Sequence, residues 1–101
     1  MTEPAPAVTE QDRRYFCYMV RCNNGAFYTG WTTDPVRRVK MHNSGQGAAY
    51  TKMHCPVILV YVETLTSRRA AMCREREIKK FSHAKKQQLI NAWFECQMSD
   101  C

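Results

Sequence analysis

Tyr18, Tyr28, Arg38, His42 and Glu75 bring two phenols, a guanidinium, an imidazole and a carboxylate into one short basic chain. Metal-assisted cleavage of a phosphodiester uses these groups. A carboxylate holds the cation, a guanidinium meets the phosphate, and phenol or imidazole handles water and its proton. Arg38 and His42 are four residues apart in a helical stretch and share a face, while Arg37 and Lys40 point elsewhere. Taken alone, that stretch reads as a solvated basic helix with a surface histidine. A tyrosine in a strand is ordinarily a half-buried packing residue. Only convergence of the five would make them a site.

Convergence depends on the elements that carry them. Residues 15–22, YFCYMVRC, are aromatic and β-branched and read as a strand. Asn23-Asn24-Gly25 tolerates positive φ and predicts a hairpin into a second strand, 26–31, where Gly30 leaves room for close approach. Asp34-Pro35 is a helix start, and that helix is expected to end near Ser44-Gly45. A loop follows as far as Pro56. VILVYVE, residues 57–63, is the strongest strand signal and is expected to lie centrally in the sheet. Thr66 or Ser67 can cap a helix over roughly 67–80, and Ser82 another over roughly 83–95. The order is β-β-α-β-α-α, an α+β pattern. Residues 1–14 are Pro/Ala/Glu/Thr-biased and are expected to be a disordered tail before one domain over 15–91, with 92–101 as a second tail. Trp93 and Phe94 in that second tail could pack on the sheet or on another chain, and oligomeric state is left open.

Lys and Arg outnumber Asp and Glu by 15 to 9, a net charge of +6. Between Tyr15 and Asn91 the only acids are Asp34, Glu63, Glu75 and Glu77, so the body is more basic than the total implies. A basic body favours a polyanion, most simply nucleic acid, although such charge also serves solubility alone. Six cysteines form no C-x2-C pair, which argues against zinc. There is no apolar leader or membrane-spanning run, and no Walker loop or dinucleotide fingerprint. The expectation is a cytoplasmic protein with reduced thiols and no small-molecule cofactor, Cys17 and Cys73 acting as small core hydrophobes.

Tyr28, Gly30, Arg38 and His42 follow a tyrosine–small–glycine pattern, with arginine ten positions after the tyrosine and histidine four further on. In these offsets the chain resembles the GIY-YIG endonuclease family. The other half of the signature falls on Phe16-Cys17-Tyr18, which keeps the tyrosine and replaces the glycine and isoleucine before it. Tyr18 and Tyr28 are expected to face each other across the hairpin, a placement that a one-residue slip would destroy. Helical spacing does not separate Glu75 from Glu77, since both flank the stripe of Ala70, Ala71, Ile78 and Phe81. The resemblance favours Glu75, three residues before Ile78-Lys79 as the family's metal-binding glutamate lies before its own isoleucine. The likeness runs from about Tyr15 to Ile90 and is nearest to small single-domain members, which end as Lys85-Lys86-Gln87-Gln88-Leu89-Ile90 does.

The resemblance implies a three-stranded antiparallel sheet flanked by helices, with a site on one sheet face. It also implies endonuclease chemistry dependent on one Mg²⁺ or Mn²⁺ ion held by Glu75, with nucleic acid as partner, DNA ahead of RNA. Tyr28 would orient or deprotonate water, Arg38 would stabilise the phosphate, His42 would accept or relay the proton, and Tyr18 would position water or phosphate. A free phenol titrates near pH 10, so a tyrosine base needs help at neutrality. Tyr50 and Lys52, in the loop after the first helix, and Lys79, Lys80 and Lys85, in a later basic run, are candidate nucleic-acid contacts. A non-catalytic nucleic-acid-binding module is the alternative. It would be expected to have lost some of the five side chains, and an adaptor for an acidic protein ranks below it.

Overall fold

In the computed structural model, residues 14–99 are described; the tail expected over 1–14 lies, apart from Arg14, outside the described residues. Strands β1 (Tyr15–Arg21), β2 (Phe27–Thr32) and β3 (Ile58–Leu65) form one antiparallel sheet in the order β2-β1-β3. Helices α1 (Pro35–Asn43) and α2 (Ala49–Met53) lie between β2 and β3, and α3 (Arg68–Lys79) and α4 (His83–Ser99) follow. The architecture is therefore the expected α+β fold with one addition. The loop expected before Pro56 contains the short helix α2, whose five residues fall below the length at which sequence periodicity registers.

The hairpin turns through Asn23-Asn24-Gly25, with Gly25 at φ 87° as such a turn requires. Asp34 caps α1 by accepting from the Arg37 amide at 3.1 Å, with Pro35 in the first turn. Ser67 caps α3 in the same way through the Ala70 amide. Gly45, at φ 85°, carries the chain away from the end of α1. The Asn43 side chain holds both the amide and the carbonyl of Val57, pinning the end of α1 to the start of β3.

One expectation about the sheet is corrected. β1, not β3, is central, and β3 forms an edge. Residues 17–20 of β1 are buried in unbroken succession because both faces are covered, whereas Ile58 of β3 is 55 % exposed. The apolar character of β3 serves a bulge as well as a core. Its register jumps from Met19↔Tyr61 to Val20↔Leu59, leaving Val60 as the extra residue. Leu59 and Tyr61, two apart, can thereby serve opposite faces. On one face Cys17, Met19, Val60 and Tyr61 pack with Ile78 of α3 and Ile90 of α4. On the other, Tyr18, Val20, Cys22 and Val57 pack with Tyr28, Val39 and Leu59. Trp93 joins the first cluster, its ring 6.4 Å from that of Tyr61, and Phe94 lies edge-on to Trp93 and half exposed.

Cys17 is fully buried, and burial, reinforced by Glu63 and Glu75, pushes its thiol up to about 12. Cys73, expected in the core, is exposed. It lies on the side of α3 away from Ala71 and Ile78, where only the helix register decides burial. No helix among the described residues is long and apolar enough to cross a membrane.

Asp34→Ala should remove one capping bond and cost about 1 kcal/mol. Thermal unfolding followed by circular dichroism should show a midpoint about 4–8 °C lower, with the helical signal at low temperature retained.

Candidate active site

The polar centre is built on the β1–β2 pair. Tyr18 is opposite Gly30, and Val20 is opposite Tyr28. Tyr18 and Tyr28 therefore share a face but are diagonal neighbours, not a facing pair. The reason is steric: a Cβ at position 30 would stand 2.7 Å from the Tyr18 hydroxyl, so only glycine lets that ring lie across β2. Gly47 makes the same provision for the next residue in the chain, since a Cβ there would collide with the His42 ring.

From Tyr18 a hydrogen-bonded chain runs through α1 and α2. The Tyr18 hydroxyl is 2.9 Å from Nε2 of His42, and Nδ1 of His42 is 2.7 Å from the Thr51 hydroxyl. Thr51 donates to the Ala48 carbonyl at 2.9 Å. With its proton spent there, Thr51 accepts from Nδ1–H of His42, which leaves Nε2 bare to accept from the Tyr18 hydroxyl. The Tyr18 oxygen in turn accepts from Nε–H of Arg38 at 3.4 Å, a long contact. Tyr18, His42 and Thr51 are all essentially inaccessible, at 1 %, 0 % and 0 % exposure. Burial, with help from the Arg38 charge, holds the His42 pKa below the ordinary imidazole value. Burial likewise raises Tyr18, outweighing the opposing pull of Arg38. Both effects favour the neutral imidazole and the protonated phenol that the bond directions require. Thr51 was missed from the sequence, where it is an ordinary threonine in an expected loop; only its place on α2 brings it to His42.

The Tyr28 ring stands edge-on to His42 with centroids 5.4 Å apart. On the other side of Tyr28 is Lys79, its ammonium 5.9 Å from the ring centroid and 3.3 Å from Oε2 of Glu75. Glu75 belongs to α3, whose buried residues pack on the opposite face of the sheet. The site therefore straddles the free edge of β2 and is not confined to one sheet face. Four of the five residues lie on the α1 side, and Lys79 joins the carboxylate on α3 to them.

Glu75 is also the carboxylate that remains available. Glu77 takes Nη1 of Arg74 at 2.7 Å, and Glu63 takes Nε of Arg74 at 2.9 Å and the Tyr61 hydroxyl at 2.7 Å. Among the described residues no group of three or more His, Cys, Asp or Glu side chains could enclose a metal ion. A lone, partly exposed carboxylate still suits Mg²⁺, which keeps several waters and takes further ligands from a substrate's phosphates.

The other sequence candidates are dispersed. Tyr50 accepts from the Asn24 side chain at 3.1 Å and packs on His54, tying α2 to the hairpin turn. Lys52 is exposed on α2. Lys80 lines a groove with Leu65, Cys73, Arg74 and Glu77, and Lys85 lies over Phe81. Of the basic run, Lys79 alone is placed at Tyr28.

Residues 14–88 match the GIY-YIG catalytic domain. The chain belongs to the GIY-YIG family. A UPF0213 protein of Haloquadratum walsbyi is 49 % identical over 75 residues, covering 74 % of this chain and 84 % of that one. A UPF0213 protein of Staphylococcus haemolyticus is 46 % identical over 77 residues, covering 76 % and 94 %. Among solved structures, the NMR structure of a UPF0213 protein from Bacillus halodurans aligns with a TM-score of 0.51 at 42 % identity, over 78 % of this chain and 84 % of that one. A second NMR structure, of an E. faecalis protein, aligns with a TM-score of 0.56 at 35 % identity, over 85 % and 92 %. The GIY-YIG chain described here is thus similar to small single-domain proteins and carries a nuclease-type domain.

The depressed His42 pKa makes stability depend on pH. Between the folded value and the ordinary 6.5, the unfolded chain binds the imidazole proton and the folded chain does not. The contribution of His42 is thus complete above about pH 6.5 and is lost as pH falls from there toward the folded value. Urea midpoints between about pH 7 and about pH 5 should decline more steeply in the wild type than in His42→Gln.

Proposed function

We propose that the chain is a divalent-metal-dependent endonuclease that hydrolyses phosphodiester bonds in nucleic acid, DNA ahead of RNA. The observation that carries this reading is the chain Thr51–His42–Tyr18–Arg38. Its outer end brings the Tyr18 hydroxyl to 3.4 Å from Nε of Arg38, while Nη1 and Nη2 have no hydrogen-bond partner among the described residues. A guanidinium whose fork is free is suited to two oxygens of one phosphate. Tyr28 and Glu75, joined by Lys79, stand at the same edge of the sheet.

Glu75 would hold the metal, with Mg²⁺ or Mn²⁺ fitting a single carboxylate. When bound, the ion would supply positive charge where negative charge develops on the phosphate. Arg38 binds the phosphate and offsets part of that charge. The half-buried Tyr28 hydroxyl orients the attacking water and takes its proton while passing its own phenolic proton to solvent. His42 and Tyr18 are positioning residues. Neither is accessible, and the neutral imidazole accepts a hydrogen bond from the Tyr18 hydroxyl so that the phenol oxygen keeps a lone pair toward Arg38. Thr51 acts one step further back, by fixing the tautomer of His42.

Cleavage of labelled single-stranded, duplex, nicked and branched substrates, with and without Mg²⁺ or Mn²⁺, tests the reading. Glu75→Gln should abolish metal-dependent cleavage, and Tyr28→Phe should lower kcat by about 10²–10⁴-fold, the usual range for a lost proton-transfer group. Equal activity in Glu75→Gln and wild type would remove the metal assignment. Thr51→Val should act chiefly on kcat and leave substrate affinity nearly unchanged, because it disturbs the orientation of Arg38 and not its charge. The same variant leaves a buried imidazole donor unpaired and should lose about 1–3 kcal/mol of stability in urea unfolding.

A further inference from the structure

Charge on α3 is sorted by helix row. Arg74 pairs with both Glu63 and Glu77 on the flank toward β3. On the other flank Arg68, Met72, Glu75 and Lys79 recur at spacings of four, three and four and form one row. Arg69, Cys73, Arg76 and Lys80 form the row beside it. Arg68, Arg69 and Arg76 line an open groove with Met72 and Cys73, and none of the three has a carboxylate partner among the described residues. Arg68 is held over the Trp31 ring at 5.5 Å, which gives its guanidinium a defined place at the β2 side of the groove.

Three guanidiniums close together repel one another, and among the described residues no acid is paired with them: Glu77, which shares a groove with Arg76, is taken by Arg74, and Glu75 is taken by Lys79. A polyanion relieves that repulsion. Met72, which lines the groove, precedes Glu75 and Lys79 in the same helix row, and the eleven residue steps from Arg68 to Lys79 amount to about 16 Å of helix. That length accommodates several phosphates of one strand.

We infer that the outer flank of α3, through Arg68, Arg69 and Arg76, is the track along which the sugar-phosphate backbone of a nucleic-acid strand lies as it enters the Glu75 site. This deepens the nuclease reading and rests on it for the site, while the track itself needs only binding. The track reads backbone charge and not base sequence, since arginines contacting phosphates carry no sequence information. It differs from the basic run of Lys80 and Lys85, because Lys85 lies away over Phe81.

The test measures binding without turnover. Wild type, the triple variant Arg68→Ala/Arg69→Ala/Arg76→Ala, and a control losing three charges elsewhere, Arg21→Ala/Lys40→Ala/Lys86→Ala, are titrated against a short labelled DNA strand, its duplex and the RNA equivalent. EDTA is present, and salt runs from ~50 to ~200 mM. Circular dichroism melting confirms that each variant is folded, and single arginine variants replace the triple if it is not. The triple should flatten the slope of log K against log salt by about 2–3, and each single substitution by about 0.7–0.9, while the control changes it by less than about 1. A wild-type slope in the folded triple, or equal losses in triple and control, overturns the track. Absence of any nucleic-acid binding by the wild type at the lowest salt also overturns it and leaves the flank to an acidic protein. The nuclease reading fails separately, by binding that follows the expected pattern without cleavage when Mg²⁺ or Mn²⁺ is restored.

Discussion

Ala48 offers Thr51 only a carbonyl, and a carbonyl can only accept. Every bond direction in the polar centre follows from that fact. The threonine proton is committed, so the His42 tautomer is set, so the Tyr18 hydroxyl must donate inward, so its remaining lone pair faces Arg38. The chain is buried, and a donor or acceptor left unpaired there would cost about 1–3 kcal/mol, so each link is held by the others. Protonating His42 would set a donor against a donor at Tyr18. The downward shift of its pKa therefore belongs to the same constraint, burial and the Arg38 charge acting together.

The sheet makes room for this chain by dividing its faces. β1 gives alternate residues to two environments: Cys17 and Met19 to the apolar layer under α3 and α4, Tyr18 and Val20 to the layer under α1 and α2. A one-residue slip of β1 would exchange Tyr18 with an apolar neighbour and dismantle the site, so the apolar layer enforces the polar one. The bulge at Val60 reconciles β3 with both layers along its length. Glycine is required where rings cross the backbone. Gly30 under Tyr18 and Gly47 beside His42 are positions where a side chain has no space, apart from any need for unusual φ.

Much of this was legible in the sequence, and its limits have physical causes. Asp34-Pro35, Ser67 and Asn24-Gly25 act through neighbouring atoms, so local sequence suffices to find helix caps and the turn. The offsets from Tyr28 to Arg38 and His42 are similarly local, since a strand runs directly into a helix of known pitch. The centrality of β1, the diagonal placement of Tyr18 and Tyr28, and the exposure of Cys73 depend on which surfaces are covered, a tertiary matter. Thr51 and Lys79 are plain residue types whose roles arise from what lies opposite them in space. Nothing in the sequence around Thr51 announces its role, and the basic run around Lys79, four residues after Glu75, does not place it at the Tyr28 ring.

Arg74 settles a question that helical periodicity left open, which of two neighbouring glutamates can serve a cation. Burial tends to lower the pKa of Arg74, but its hydrogen bonds to Glu63 and Glu77 outweigh this and raise it, so it stays charged and committed to both. The adjoining Tyr61 phenol is pushed up to about 12, by burial first and then by Glu63, and so remains a donor that helps lock Glu63 in place. Among the described residues, two of the three carboxylates around α3 are thereby engaged by Arg74. Among the described residues Glu75 is paired only with a lysine on a flexible, half-exposed stem, the kind of partner that a more highly charged cation displaces. The sorting of charge across one helix thus leaves one carboxylate open, on the side where the arginines are unpaired and the phenol of Tyr28 is near.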